Sequence, residues 1–452
     1  MLIEYLIRIT VMVITSERLL ILMGLCDESF HFPVMIRVVF NAAVAIVIAL
    51  VMSKLYKVLF APLDLRRKLE DVGYVHHDHS VSREENIRDT QRRKKLGNTP
   101  PVFPNGWFKV ADSTWIKKGQ VKSIYFFGEQ LALFRNKRGL LRALDAYCPH
   151  LLANMAAGGK VVNSDCLECP FHGWKFSGET GKLVDVPYAQ KVPTFVSVKK
   201  WSCCEVDGMA YLWYHCDGGE PKWVLPSSVT INTLKYAGKT EHIINSHIQD
   251  IPENAADISH LDHLHKPVIG SDVEKTNESL LNNLIFHSIQ ASWKPPTDPN
   301  EPHRSTMSIK DNIHLSIFNI KIPLLYLEFE IDQIGPGAVH IHVRTPFFRG
   351  LMLQNVTPIE PFVQKLTHSF YVSPWVPVCI AKAFYLLETT QIERDILMWN
   401  NKTYFRQPVL VKEESALAKH RRWYQQFYSE NSPRMNHRGD LVYPGKPKLA
   451  DW

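Results

Sequence analysis

The arrangement Cys148-Pro149-His150, eighteen further residues, then Cys169-Pro170-Phe171-His172-Gly173-Trp174 constrains this chain more than any other feature. Two Cys-then-His pairs bring two thiolates and two imidazoles to one place, a donor set that a fold must be built around. A Cys2His2 zinc site would use the same ligand types. A [2Fe–2S] cluster would put both thiolates on one iron and both imidazoles on the other, raising its potential above that of an all-cysteine cluster. The one-residue spacing inside the first pair is shorter than a usual zinc knuckle. Both pairs also sit on Pro-containing loops within β-rich sequence. Cys166 lies three residues before Cys169 and mimics a redox pair, but Cys169 is already needed. Cys203-Cys204 reads as ordinary strand sequence.

A second constellation begins at Glu253 and reads Glu253-Asn-Ala-Ala-Asp257-Ile-Ser-His260-Leu-Asp262-His263-Leu-His265. Asp257 and His260 are i and i+3 and share a helix face. His260 and His265, five apart, are about 140° out of alignment on a continuous helix, so a bend or helix end is needed to bring them to one metal. Asp262 and His263 compete for the same role on residue type alone. Two histidines need an anionic third ligand to leave positions open for O₂. Candidates lie far downstream in Gln391-Ile-Glu393-Arg394-Asp395-Ile-Leu-Met-Trp399. A surface carboxylate paired with Arg394 or Lys402 is the plain alternative for Asp395.

The tail Pro-Phe-His-Gly-Trp resembles the second cluster-binding loop of Rieske proteins, and Glu-x3-Asp-x2-His-x4-His resembles the iron motif of Rieske non-haem oxygenases. The resemblance implies a [2Fe–2S] cluster on Cys148, His150, Cys169 and His172. It implies a mononuclear non-haem Fe(II) on His260, His265 and Asp395, with Glu393 as the alternative to Asp395. It further implies that Asp257 binds no metal but bridges a cluster histidine of one subunit to an iron histidine of its neighbour, hence a homotrimer or similar ring. Where such oxygenases commonly have Gly after the first histidine, this chain has Leu151-Leu152-Ala153.

Of the 452 residues, the eight cysteines are too few and irregular for a secreted disulfide framework. Residues 1–70 read as a membrane anchor region. The run Val38–Met52, VVFNAAVAIVIALVM, is uncharged, and with its apolar lead-in it predicts a span over about 34–53. Lys54, Lys57, Arg66, Arg67 and Lys68 follow, which by the positive-inside tendency places the larger part in the cytosol. Met1–Cys26 is apolar but carries Glu4, Arg8, Glu17 and Arg18, and reads as an interfacial helix or second span rather than a cleaved signal. Residues 71–100 read as a polar linker. Its histidines His76, His77 and His79 have no further ligands, so their grouping is taken as accidental. The formal charge of +7 owes much to Arg92-Arg93-Lys94-Lys95 here. No stacking aromatics interleave that run, which argues for a solvated or membrane-facing stretch and against nucleic acid. Residues 101–220, rich in short alternating apolar runs, read as all-β, which the resemblance makes the Rieske domain. Residues 221–452 mix strands with helical stretches, the last over about Val378–Asn401, and the resemblance implies an α+β, helix-grip-like catalytic domain there, so the whole is α+β.

The anchor, the block Pro252-Glu253-Asn254-Ala255-Ala256-Asp257 and the tail Arg421-Arg422-Trp423-Tyr424-Gln425-Gln426-Phe427-Tyr428 together resemble the Neverland family of animal cholesterol 7-desaturases. That resemblance implies a membrane enzyme, expected at the endoplasmic reticulum, that removes hydrogens from C7 and C8 of cholesterol toward ecdysteroid-type or dafachronic acid-type hormones. Its cosubstrates would be O₂ and NAD(P)H, with electrons arriving from a ferredoxin or reductase. A steroid ring hydroxylase would use the same metal sites. An electron carrier without catalysis would lack the block 253–265 and the long C-terminal domain. The plastid tetrapyrrole branch carries a C-terminal Cys-x-x-Cys, absent here because Cys379 is the last cysteine.

Overall fold

The computed structural model describes residues 32–76, 78–97, 99–268, 285–315 and 320–444. The expected helix over Met1–Cys26 and the His77 position lie outside the described residues. Helix α1 (Phe32–Leu59) belongs to one compact unit; nearly all of the remaining chain, from Leu63 onward, belongs to a second. Within α1, Asn41–Leu59 is long and apolar enough to cross a membrane, a stretch set further along the chain than the expected 34–53.

The second unit begins with β1 (Leu63–Arg67) and α2 (Arg83–Arg92). Both fall in segments whose composition suggested anchor and linker. The helix forms because Ser82 caps it, its hydroxyl accepting from Glu85 N at 3.2 Å, with Glu84 and Glu85 in the positive first turn and Arg92 in the last. Ile87 is buried, and Lys94 donates to the Asn245 carbonyl at 2.6 Å, so this polar stretch is docked rather than free. Burial lowers the Lys94 pKa to about 8.

The cluster-motif region consists of small antiparallel sheets. Strands β2 (Gly106–Asp112), β3 (Val121–Phe126), β4 (Glu129–Arg135) and β5 (Leu141–Asp145) precede a four-stranded sheet of β6 (Lys160–Val162), β7 (Cys166–Glu168), β8 (Lys175–Ser177) and β9 (Leu183–Asp185). Strands β10 (Lys200–Trp201), β11 (Cys203–Val206) and β12 (Met209–Tyr214) close the region, with order β10-β5-β4-β3 in one sheet and β11-β12-β2 in another. Cys203 and Cys204 are residues of β11, and Cys203 donates to the Leu141 carbonyl at 3.1 Å.

The C-terminal region is built on one large sheet whose order is β1-β13-β19-β18-β17-β16-β15-β14. Its strands are β13 (Lys235–Ile244), β14 (Ile285–Lys294), β15 (Arg304–Leu315), β16 (Ile320–Ile334), β17 (Ala338–Arg344), β18 (Arg349–Glu360) and β19 (Val363–Val372). All its pairings are antiparallel except β1 with β13. That parallel pairing needs Gly238: a Cβ there would sit 2.5–2.6 Å from Leu63 atoms. Short helices α3 (Asp250–Glu253) and α4 (Ile258–His263) follow β13, and α5 (Val378–Asn401) and α6 (Ser415–Tyr424) follow β19. The two regions share one core, in which Phe108, Phe126 and Phe127 pack with Val356, Leu366 and Trp399. Main-chain bonds from Phe127 and Gly128 to the Pro358 and Ile359 carbonyls reinforce the join.

Candidate metal centres

The first cluster loop connects β5 to β6 and the second connects β7 to β8. Each is pinned by its own backbone. Cys148 N donates to Ala153 O at 3.0 Å and Leu152 N to Cys148 O at 2.9 Å; Cys169 N donates to Trp174 O at 2.8 Å. Both cysteines are buried. The His150 ring lies 4.7 Å from the His172 ring and stacks on Trp174 at 4.6 Å, while Trp174 Nε1 donates to the Tyr188 hydroxyl at 2.8 Å. Leu152 has φ 56°, in the left-handed region, which explains physically why glycine suits this position.

The donor set fits a cluster. His150 Nδ1 is buried without a hydrogen-bond partner. Burial, and the Cys169 sulfur nearby, raise the Cys148 pKa to about 11. A thiol so raised stays protonated unless something cationic holds it as a thiolate. Cys166, the decoy, is a buried residue of β7.

The second centre is assembled from α4, the turn after it and the middle of α5. His260 and His265 rings are 5.0 Å apart, inclined at 76°. Asp395 Oδ1 lies 3.0 Å from His265 Nε2 and 3.9 Å from His260 Nε2. One ligand atom from each residue falls within 4.8 Å of the others, a grouping able to hold a metal ion. The opposite ring nitrogens are already engaged: His260 Nδ1 with the Asp257 carbonyl, and His265 Nδ1 with Gln391 Oε1 at 3.0 Å. That fixes both Nε2 atoms toward Asp395, the arrangement a metal needs. Burial lowers the His265 pKa, but Asp395 and Gln391 outweigh it and the pKa is raised.

The competing residues go elsewhere. Asp262 and His263 are exposed. Glu393 Oε1 receives Arg67 Nε at 3.0 Å and lies 3.6 Å from His242 Nε2, tying α5 to β1 and β13. Asp395 is buried and is not paired as a surface carboxylate would be: Lys402 binds Asp250 at 2.5 Å, and Arg394 donates to the Pro267 carbonyl at 2.7 Å. The Asp257 side chain is about a third exposed, with its carboxylate 4.0 Å from His260 Nδ1.

Motif reading missed three residues. Gln391 and Arg394 hold the His265 segment, with Arg394 bonding to Leu264 O, Pro267 O and Gln391 Oε1. Arg421 grips Glu253 through two bonds of 2.8 and 2.6 Å, so the two distant family blocks are one structural element. The glutamine one turn before Asp395 was the available signal for the first of these.

The triad forms part of the wall of an apolar cavity of about 220 Å³, and a second apolar cavity of about 280 Å³ shares His287, Leu327, Glu388 and Gln391 with it. At this waist His287 Nδ1 lies 2.5 Å from Asp311 Oδ2. Burial raises the Glu388 pKa to about 7, against the opposing pull of His287.

Both regions match known protein families. Residues 106–196 match the Rieske [2Fe–2S] domain, and residues 212–428 match the 3-ketosteroid 9alpha-hydroxylase C-terminal domain. A cholesterol 7-desaturase of Ciona intestinalis is 44% identical over 86% of this chain and 82% of its own length. The cholesterol 7-desaturase of Caenorhabditis elegans is 37% identical over 90% of this chain and 97% of its own. A crystal structure of dicamba monooxygenase, 15% identical, shares the fold with a TM-score of 0.53 over 73% of this chain and 98% of that one. With donor sets, domains and relatives in agreement, the chain belongs to the cholesterol 7-desaturase family of Rieske [2Fe–2S] oxidoreductases.

Proposed function

We propose that this chain desaturates cholesterol at C7–C8, giving 7-dehydrocholesterol for steroid-hormone synthesis. The observation that carries this reading is the convergence of His260, His265 and Asp395 on the wall of an apolar cavity, in a chain that also holds the Cys148, His150, Cys169 and His172 donor set. The electrons balance: removing two hydrogens supplies two electrons, NAD(P)H supplies two more, and O₂ leaves as two waters. When bound, the cluster supplies electrons one at a time and the iron supplies O₂ activation.

This chain's own residues do the rest. Cys148, His150, Cys169 and His172 hold the cluster, and His260, His265 and Asp395 hold the iron. Gln391 fixes the His265 tautomer. Apolar residues such as Ile309 and Phe329 accept the hydrocarbon and exclude water. Asp257, whose side chain is a third exposed, serves as the bridge to a cluster histidine of a neighbouring subunit, in a homotrimer fed by a ferredoxin or reductase. α1 anchors the enzyme in the membrane where its substrate resides, with the catalytic part cytosolic and the endoplasmic reticulum as the compartment.

Incubating the full chain with cholesterol, an electron-transfer chain and NADPH, then identifying products by mass spectrometry, tests this. A conjugated diene is expected. An oxygenated sterol would favour the second reading, a steroid hydroxylase, which the match of residues 212–428 supports. No product, with the cluster intact, would leave an electron carrier.

A further inference from the structure

Leu327, Phe329, Ile331 and Gln333 alternate along β16 and all face the cavity at the triad, while Glu328, Glu330 and Asp332 take the other face. Leu327 belongs to the waist shared with the outer cavity. Six residues at a rise of about 3.3 Å put Gln333 roughly 20 Å beyond it. On α5, Glu388 marks the same waist and Asp395 lies seven residues further, about 10 Å along the helix axis. The order along the channel is therefore outer cavity, waist, triad, Gln333.

Gln333 is 2% exposed, and its Nε2 has no hydrogen-bond partner. Its orientation is fixed by donors on the other side. The Trp293 indole, which can only donate, reaches Ser305 Oγ at 3.3 Å, and the Ser305 hydroxyl then donates to Gln333 Oε1 at 3.5 Å. His420 Nε2 adds a second contact to Oε1 at 3.1 Å. The amide N–H that remains is a buried, unsatisfied donor on the wall of a chamber that is apolar over most of its surface.

Neither cavity alone reaches the roughly 300 Å³ at which ligand pockets begin, but the two together do. A ligand that fills this space must pass the waist. We propose that the two cavities form one sterol channel in which Gln333 Nε2 donates to the oxygen at the head of the molecule, while the branched hydrocarbon tail lies in the outer cavity. The inference rests on the sterol reading above and adds the direction in which the substrate lies. The reverse orientation would press hydrocarbon against an unpaired buried N–H. The chosen one satisfies that donor and places the ring system between head and tail, beside the triad.

The test compares cholesterol with its 3-deoxy analogue, cholest-5-ene, on the full-chain holoenzyme, for the native protein, Gln333→Glu and Gln333→Met. The glutamate keeps the acceptor that Ser305 and His420 use and removes the amide donor; the methionine removes it without charge. The native enzyme should favour the hydroxylated sterol by about ten-fold in half-saturating concentration, the scale of one buried hydrogen bond. Gln333→Met should lose that preference, Gln333→Glu should keep it only by accepting from the sterol hydroxyl, and both should retain the cluster absorption. Equal handling of the two sterols by the native enzyme, or an undiminished preference in Gln333→Met, would overturn the assignment of Gln333. Failure of the native enzyme to act on either sterol would instead sink the sterol reading itself.

Discussion

Gln391 Oε1 stands 3.0 Å from His265 Nδ1, one helical turn before Asp395 on the same helix. α5 thus presents to one histidine both a partner for the far ring nitrogen and, at 3.0 Å from the near one, a carboxylate. A single helix sets the tautomer and the charge of the site together.

Replacing Gln391 with Leu should weaken iron binding about 10- to 100-fold, the usual consequence of losing an orienting partner. Iron content after desalting reads this directly, and the cluster spectrum should be unchanged. Iron retention equal to the native protein would show that the amide does not orient His265.

Asp395→Ala and Glu393→Ala should separate cleanly. The first should lose iron and turnover and keep the cluster absorption. The second should keep iron but cost about 2 kcal/mol of stability, because Arg67 and His242 lose their shared carboxylate. Iron loss in Glu393→Ala alone would move the ligand.

Cys169→Ser should abolish the visible absorption of the cluster. Retention of that spectrum would contradict the donor set built on the two loops.

Leu152→Gly should raise the unfolding free energy by up to about 1 kcal/mol, since glycine adopts φ 56° without the steric cost of a Cβ. Thermal unfolding monitored at the cluster absorption is the measurement, and a clear loss of stability would mean that Leu152 makes a compensating contact.

Acid should destabilise the fold well above the carboxylate range. Burial lowers the pKa of both His368 and His420 to about 3, so each stays neutral in the folded chain but binds a proton near pH 6.5 when unfolded. The stability they contribute is fully present above pH 6.5 and is lost as pH falls toward 3, with a slope of up to about 1.4 kcal/mol per pH unit for each. Denaturant titrations between pH 7 and 5 should show this fall, and His368→Gln should flatten it.

What was legible in the sequence was local. Cys148, His150, Cys169 and His172 declare themselves by adjacency, and His260 and His265 by a short motif. Composition could not separate Asp395 from Glu393. Two residues apart on a helix, they point about 200° away from each other, and only the placement of α5 decides which faces the histidines. Gln391, Arg394 and the Glu253–Arg421 clamp connect residues too distant in the chain for any periodic pattern to link. Residues 71–100 look like linker because their polarity is high, yet α2 is held by a cap and one buried face. In the sequence Gln333 is one polar residue among many; it acquires meaning only because β15 supplies Ser305 and α6 supplies His420 behind it.

The grip of Arg421 on Glu253 has a consequence for biogenesis. The stretch that begins the iron motif is clasped by a residue 168 positions further along the chain, and Asp395 likewise follows every cluster donor. A ribosome-bound chain can complete its cluster loops long before it can offer iron a finished site. In chain order the cluster donors are therefore complete before the proposed iron donors are, and a truncation that removes α6 removes the Arg421 half of the clasp on Glu253.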